Sequence, residues 1–287
     1  MVSIDEWIES GDFFLWRGHR IFLHNAGHGE DLLLIHGFPT SSWDWHAITG
    51  ALRSRYRVLT FDLLGFGLSD KPATFDYRIA AQADLAEAVL AHFGVARCRI
   101  LAHDYGNTVA QELLARQNIR SGAWQLQQLC FLNGGLFPET HRPRLIQRLL
   151  ASPLGGLIAR LTSYERFARE MSRICAMPLP PQELERMWQL LTHNRGASVL
   201  PKLIRYMAER RAQRARWVGT LLDTHVPLRL IDGVDDPISG ANLVQRYREL
   251  VPRPDVVELA GVGHYPQLEA SERVLEALFE FFARPPD

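Results

Sequence analysis

Cysteine is scarce in this chain. The 287 residues contain only three, which are far apart and odd in number: Cys98, Cys130 and Cys175. Such a set has neither the close pairs of a zinc site nor the even count of a disulfide framework. We expect no metal and no other cofactor, and we expect a reducing, cytoplasmic compartment.

Net charge and long apolar runs are also missing. Lys and Arg number 32, as do Asp and Glu, so the overall charge gives no reason to expect a nucleic-acid partner. No stretch reaches the roughly eighteen consecutive apolar residues of a membrane-spanning helix. The acidic start, MVSIDEWIES, predicts no signal peptide.

Short apolar runs alternate with helical patterns over most of the chain. The runs predict strands, and helical spacing separates most of them, which favours a doubly wound, mostly parallel sheet. From Phe137 to Trp217 no strand pattern occurs, and proline-punctuated helical stretches predict an insertion. We therefore expect a core of residues 1–136 and 218–287 with a helical cap at 137–217. The predicted strands are 13–16, 20–24, 31–35, 57–61, 100–102, 126–132, 228–232 and 255–259.

The stretch RILAHDYGNTVAQELLAR, at 99–116, joins one such strand to a helix. Asp104 stands at the turn, with the small residues Ala102 and Gly106 two places on either side. This is the layout of a nucleophile elbow, in which neighbouring chain passes too close for larger side chains. Asp104 is therefore a candidate nucleophile, although aspartate is also a common helix N-cap.

A second acid and a histidine follow Asp104 at later strand ends. Functional groups in parallel sheets collect at the carboxyl ends of the strands. Asp236, in GVDDP, has the expected spacing for the acid, and we expect its neighbour Asp235 to be a solvated turn residue. His264 follows the last strand in a glycine-flanked loop. Nucleophile, acid and histidine thus occur in the order of a hydrolase triad.

Several long segments carry a family resemblance. They are LLLIHGFPTSSWDW, FDLLGFGLSDKP, AHDYGNTVAQELL, FLNGGLFPETHRP, RARWVGTL and GHYPQLE. These segments resemble the epoxide hydrolase and haloalkane dehalogenase branch of the α/β-hydrolase superfamily, and within it the mesoderm-specific transcript hydrolases, from about Gly11 to Phe282. The resemblance implies an eight-stranded α/β-hydrolase fold with the cap inserted after strand 6.

An aspartate nucleophile limits the reaction. A carboxylate is ionised at neutral pH, but its attack on an ester carbonyl would give an anhydride, whereas attack on a tetrahedral carbon gives an ordinary ester. His264, oriented by Asp236, would then activate the water that hydrolyses this ester. The expected oxyanion donors, which the resemblance also implies, are the backbone N–H groups of Phe38 and Tyr105.

The leaving group separates two versions of this reaction. Epoxide opening needs a proton donor, whereas a halide needs N–H donors, usually tryptophan indoles. Tyr105 follows the nucleophile, and Phe38 stands where many dehalogenases have asparagine, so the sequence favours an epoxide. The resemblance implies tyrosine donors from the cap, for which Tyr206 and Tyr164 are the candidates, although each could simply pack a helix.

We therefore predict hydrolysis of a small apolar epoxide to a diol. Haloalkane dehalogenation is the alternative within the same chemistry. A protein of another class, which binds a ligand or acts as a scaffold without catalysis, is the third possibility. The oligomeric state is open.

The cap region is basic. Residues 137–217 contain 15 Lys and Arg but only 6 Asp and Glu. A solvated helical surface with ion pairs to the core accounts for this charge. Contact with a membrane surface is the alternative, which the sequence does not favour because no amphipathic anchor accompanies the charge.

Overall fold

The computed structural model describes residues 3–119 and 122–285. Its strands are β1 (Asp12–Trp16), β2 (His19–Ala26), β3 (Glu30–Ile35), β4 (Tyr56–Phe61), β5 (Arg97–Ala102), β6 (Gln125–Phe131), β7 (Leu228–Gly233) and β8 (Val256–Leu259). The helices before the sixth strand are α1 (Ile4–Glu9), α2 (His46–Arg53), α3 (Ile79–His92) and α4 (Tyr105–Ile119). Those between β6 and β7 are α5 (Leu145–Leu150), α6 (Gly155–Arg160), α7 (Tyr164–Ile174), α8 (Pro181–Thr192), α9 (Leu200–Leu203), α10 (Tyr206–Ala212) and α11 (Arg214–Asp223). The last are α12 (Ala241–Leu250), α13 (Pro266–Glu269) and α14 (Ser271–Phe282), and short 3-10 helices span Ser42–Trp45 and His193–Val199.

The eight strands form one sheet in the order β1-β2-β4-β3-β5-β6-β7-β8. Strands β1 and β2 pair antiparallel, as do β2 and β4, whereas the strands from β4 to β8 run parallel. The predicted fold, a mostly parallel eight-stranded sheet of the α/β-hydrolase type, is confirmed. Its parallel part brings the ends of β3, β5, β6, β7 and β8 to one edge.

Both faces of the sheet are buried, which explains why its strands are continuous apolar runs. Along β3, Leu33 and Ile35 pack into one core cluster, and Leu32 and Leu34 pack into the other. The first cluster also contains buried side chains of the helices between β6 and β7. Residues of the cap region therefore share one apolar core with this face of the sheet.

Three local features differ from the sequence expectation. Helix α1 was not expected, yet Ser3 and Glu6 form a capping box and Trp7 is buried. Helix α13 adds a turn directly after the His264 loop. The predicted end of the cap at residue 217 falls inside α11, which packs along α4, so the division between core and cap is drawn through a continuous helix.

The cysteines lie apart in the fold. Cys98, Cys130 and Cys175 are all unpaired and buried. Burial raises the pKa of each thiol, which makes them poor nucleophiles. Among the described residues, no helix has both the length and the apolar character needed to cross a membrane.

Candidate active site

Asp104 occupies a sharp turn between β5 and α4. Its φ is +45°, in the left-handed region that residues other than glycine usually avoid. Neighbouring chain passes so close that a Cβ at Gly106 would lie 2.2 Å from the Ile35 carbonyl oxygen, and one at Gly134 would lie 2.6 Å from the Asp104 Cα. Glycine at both positions therefore allows this strained turn to form.

The Asp104 carboxylate faces the loop after β3 rather than its own helix. The Phe38 N–H donates to Asp104 Oδ2 at 3.1 Å. The amides of Gly106 and Asn107, which a capping side chain would accept from, donate instead to the backbone carbonyls of His103 and Asp104. The Phe38 amide borders the carboxylate, and Tyr105 begins the helix beside it. The assignment of these two amides as the oxyanion donors stays a prediction.

His264 and Asp236 form a buried pair at the same edge of the sheet. His264 Nδ1 lies 2.7 Å from Asp236 Oδ2, and both side chains are almost fully buried. The backbone of His264 is fixed on two sides, because its N–H donates to the Ile174 carbonyl at 2.9 Å and its carbonyl accepts from His103 Nε2 at 2.8 Å. The imidazole is therefore held in one place before any substrate binds.

Asp236 is itself oriented by several donors. Its Oδ1 accepts from the Ile238 N–H, and its Oδ2 accepts from the Ser239 hydroxyl, each at 2.7 Å. The Asn133 side-chain amide donates to Oδ2 at 3.1 Å. Asp235, in contrast, is exposed and accepts from the Gly261 N–H at 3.0 Å. Of the two neighbouring acids, only Asp236 therefore contacts His264.

The charges around His264 favour its protonated form. Burial by itself lowers the pKa of His264, but the Asp236 carboxylate and then the Asp104 carboxylate oppose this, and the pKa rises to about 9. Although Asp236 is buried, its pairing with His264 holds its pKa below the ordinary value. The imidazole is thus charged in the resting protein as long as both carboxylates are ionised.

Glu269 connects the His264 loop to the cap region. Its Oε2 accepts from the backbone N–H groups of Gly263, Ala176 and Met177 at 2.8 to 2.9 Å, and its Oε1 accepts from that of Tyr265 at 2.9 Å. Four backbone donors therefore converge on one carboxylate. This arrangement fixes the loop on both sides of the histidine and joins it to the chain that follows α7.

The two candidate tyrosine donors lie in different places. Tyr206 is fully buried, and its ring centre is 5.0 Å from that of Tyr105 and 6.0 Å from that of Phe38. Its hydroxyl has no hydrogen-bond partner among the described residues. Tyr164 begins α7, where its hydroxyl donates to the Pro181 carbonyl at 3.4 Å. The structure thus brings Tyr206, but not Tyr164, into the aromatic cluster beside Asp104.

Comparison with known proteins identifies the family. The sequence model described as "Alpha/beta hydrolase family" matches residues 32–277. The chain belongs to this family. The hydrolase is 41% identical to the mesoderm-specific transcript protein of Mus musculus, over 97% of this chain and 88% of that protein. It is 40% identical to the LipZ protein of Mycobacterium tuberculosis, over 96% of each chain.

Solved structures agree with this fold. The epoxide hydrolase CorEH superposes on the hydrolase with a TM-score of 0.79 and 17% identity, covering 95% of this chain and 98% of that one. The haloalkane dehalogenase DbeA of Bradyrhizobium elkani superposes with a TM-score of 0.80 and 21% identity, covering 96% and 97%. At these identities the likeness establishes the fold alone.

A buried arginine of the hydrolase adjoins Asp104. Arg210 lies on α10 with 2% of its surface exposed. Its Nη2 donates to the Asp104 carbonyl oxygen at 2.9 Å, and its Nε donates to the Thr108 hydroxyl at 2.6 Å. The same Nη2 lies 3.8 Å from Asp104 Oδ1, and the guanidinium carbon lies 4.4 Å from the ring centre of Tyr206. The cap region thus brings a fixed positive charge to the aspartate.

The sequence alone does not point to Arg210 or Glu269. Arg210 is one of 15 basic residues at 137–217, and no local pattern distinguishes it from the exposed ones. Glu269 lies in GHYPQLE, five residues after His264, and that closeness was its only signal. Both act through partners that are distant in the sequence, so only the fold reveals their contacts.

Proposed function

We propose that this hydrolase converts an apolar epoxide to a vicinal diol through an ester on Asp104. The observation that carries the proposal is the cluster around the elbow, where a strained, buried Asp104 lies with Tyr206, whose buried hydroxyl has no partner among the described residues. The pairing of His264 with Asp236 supports a second, hydrolytic step.

In the first step, an Asp104 carboxylate oxygen would attack one ring carbon of the epoxide. The carbon–oxygen bond breaks, and its electron pair goes to the ring oxygen, which takes a proton from Tyr206. Burial and the Asp104 charge raise the pKa of the Tyr206 hydroxyl, whereas Arg210 opposes them. The tyrosine is therefore protonated in the resting protein, as a donor must be.

In the second step, His264 would take a proton from the water that attacks the Asp104 ester carbon. Formation of the ester removes the carboxylate charge, which is one cause of the high pKa of His264. The imidazolium then gives up its proton more easily. That proton would return through solvent to the Tyr206 phenolate, which leaves Tyr206 protonated and His264 neutral and able to act as the base. The Phe38 and Tyr105 amides would stabilise the oxyanion. When the bond to the diol oxygen breaks, the proton of the added hydroxyl would pass to that oxygen, which restores the Asp104 carboxylate and leaves His264 protonated as in the resting protein.

Haloalkane dehalogenation is the second candidate. Arg210 favours it, because a guanidinium beside Asp104 offers N–H donors to a departing halide. Two tryptophan indoles are committed elsewhere, since the Trp43 N–H donates to Glu183 and the Trp217 N–H donates to Glu112. Epoxide opening therefore remains the reaction that the contacts support better.

A trapping experiment separates these reactions from non-catalytic binding. The His264→Gln variant should form the Asp104 ester but fail to hydrolyse it, so intact mass spectrometry after exposure to epoxides should record a covalent adduct. Asp104→Asn is the matched control and should form none. Adducts from haloalkanes alone would exclude the epoxide. No adduct from either class, with an inactive wild-type protein, would favour a binding or scaffold role.

The proton donor can be tested with two tyrosine variants. Tyr206→Phe should slow formation of the epoxide adduct by roughly 10²-fold or more, whereas Tyr164→Phe is the control because its hydroxyl points to Pro181. Equal rates for Tyr206→Phe and the wild type would remove Tyr206 from the mechanism. A cytoplasmic location is part of the same proposal, supported by three unpaired cysteines.

A further inference from the structure

Helices α5 and α6 carry leucines that the fold leaves uncovered. Leu145 is 71% exposed and Leu154 is 62% exposed, and three further leucines of the segment are also exposed. Leu145 and Leu149 are four residues apart in α5, and Leu154, Leu157 and Leu161 are three and four residues apart, with Leu154 and Leu161 flanking α6. The leucines of each group therefore share one side. We call this set the leucine face: Leu145, Leu149, Leu154, Leu157 and Leu161.

The adjoining sides of the same helices are already packed. Leu150 and Ala159 are buried in the core cluster, and Ile146 and Ile158 pack against it. Helices α5 and α6 also contact each other. The leucine face therefore cannot be turned inward without removing these side chains from the core, so the apolar residues stay outside in the folded protein.

The charge of this segment has one sign. Residues 140–164 contain Arg142, Arg144, Arg148 and Arg160 and no Asp or Glu. Arg148 and Arg160 are exposed, and within residues 3–119 and 122–285 neither forms an ion pair with an acid. Exposed leucines interspersed with unpaired arginines in one short segment are suited to the boundary between acyl chains and anionic headgroups.

We propose that the leucine face docks this protein peripherally on an anionic membrane surface. The leucines enter the headgroup region, and Arg148 and Arg160 contact lipid phosphates while their apolar stems lie along the interface. A second copy of the chain fits this surface less well. A symmetric dimer would bring the arginines of both copies together without an acid in the segment to pair them.

Vesicle co-sedimentation tests the proposal without using any enzymatic activity. The wild-type protein should bind vesicles of phosphatidylcholine mixed with phosphatidylglycerol and bind pure phosphatidylcholine much more weakly, and salt should reduce the binding. Arg148→Gln and Arg160→Gln should each weaken binding to the mixed vesicles by roughly fivefold. Arg97→Gln, an exposed arginine outside the segment, should leave it unchanged.

The leucines need their own variant and control. Leu154→Gln, Leu157→Gln and Leu161→Gln together should weaken binding to mixed vesicles at least about tenfold. The matched control replaces Leu15 and Ile119, which are 71% and 73% exposed on other elements, by glutamine. If the triple variant has a lower melting temperature than the control, Leu154→Gln alone replaces it.

Three results would overturn the proposal. The first is that the wild type does not bind mixed vesicles. The second is that the leucine variant binds them as well as its control does. The third is that the wild type binds pure phosphatidylcholine as well as it binds mixed vesicles, at every salt concentration. Sedimentation equilibrium adds a fourth. If the wild type forms a dimer that the leucine variant does not form, and the wild type does not bind vesicles, the leucine face contacts a second copy of the chain instead.

Discussion

The His264 pair predicts a specific dependence of stability on pH. The pKa of His264 rises from its ordinary value of 6.5 to about 9 in the folded protein. A histidine whose pKa is raised by folding stabilises the protein fully below the unfolded value, and this contribution disappears as the pH rises through the folded value. The window therefore runs from about pH 6 to about pH 10.

The magnitude follows from the same two values. At about 1.4 kcal/mol for each pKa unit, the rise from 6.5 to about 9 corresponds to about 3 kcal/mol of unfolding free energy. His264→Gln removes the titrating group. The difference in unfolding free energy between wild type and variant should therefore shrink by about 3 kcal/mol between the two ends of the window.

Denaturant unfolding at a series of pH values measures this difference. Groups that both proteins share, such as Lys71, whose pKa burial lowers to about 8, cancel in the comparison. His28→Gln makes the same chemical change at an exposed position and should give no such trend. A wild-type minus His264→Gln difference that stays flat with pH would refute the electrostatic reasoning about this pair.

Three other variants test the surroundings of the site. Asp232 is buried, and neither of its carboxylate oxygens has a hydrogen-bond partner among the described residues. Burial raises its pKa well above the ordinary value. Asp232→Asn should therefore stabilise the protein by about 1 to 3 kcal/mol near neutral pH. In denaturant titrations this gain should vanish towards pH 4, because the folded carboxyl is then protonated without cost, and a destabilised variant at neutral pH would contradict it. Glu269→Ala should lower the melting temperature and the hydrolytic rate together, because four backbone donors lose the carboxylate that they share. Glu269→Gln should retain part of both. An unchanged rate in the alanine variant would contradict the positioning role of Glu269. Gly106→Ala would bring a Cβ within 2.2 Å of the Ile35 carbonyl oxygen, so we expect at least about 2 kcal/mol of destabilisation in thermal unfolding, and a variant as stable as wild type would contradict the close packing of the elbow.

The sequence was most informative where the physics is local. Apolar runs such as Leu32–Ile35 predict buried strands because side chains on both faces of a parallel strand meet a core. The turn around Asp104 could be predicted because only small residues fit where chains pass closely. Its carboxylate became a candidate nucleophile, rather than a helix cap, only because Asp236 and His264 follow much later in the chain.

The sequence was least informative about which side of a helix faces outward. In α5, exposed and buried apolar residues are neighbours in the sequence, so the hydrophobic pattern does not separate Leu149 from Leu150. Packing buries Leu150 and leaves Leu149 exposed. The exposed leucines on which the proposed membrane contact depends could therefore be recognised only in three dimensions.

By itself, the sequence determined the α/β-hydrolase fold and the order of Asp104, Asp236 and His264. Hydrophobic periodicity, the glycines of tight turns and the order of residues along the chain can all be read directly from the sequence. Only the tertiary structure decided that Tyr206 rather than Tyr164 joins the aromatic cluster beside Asp104. It also decided that Arg210 lies against the aspartate. The physical reason is that burial and electrostatic pairing depend on distances between elements, and the elements that carry Asp104 and Arg210 hold these residues 106 positions apart in the chain.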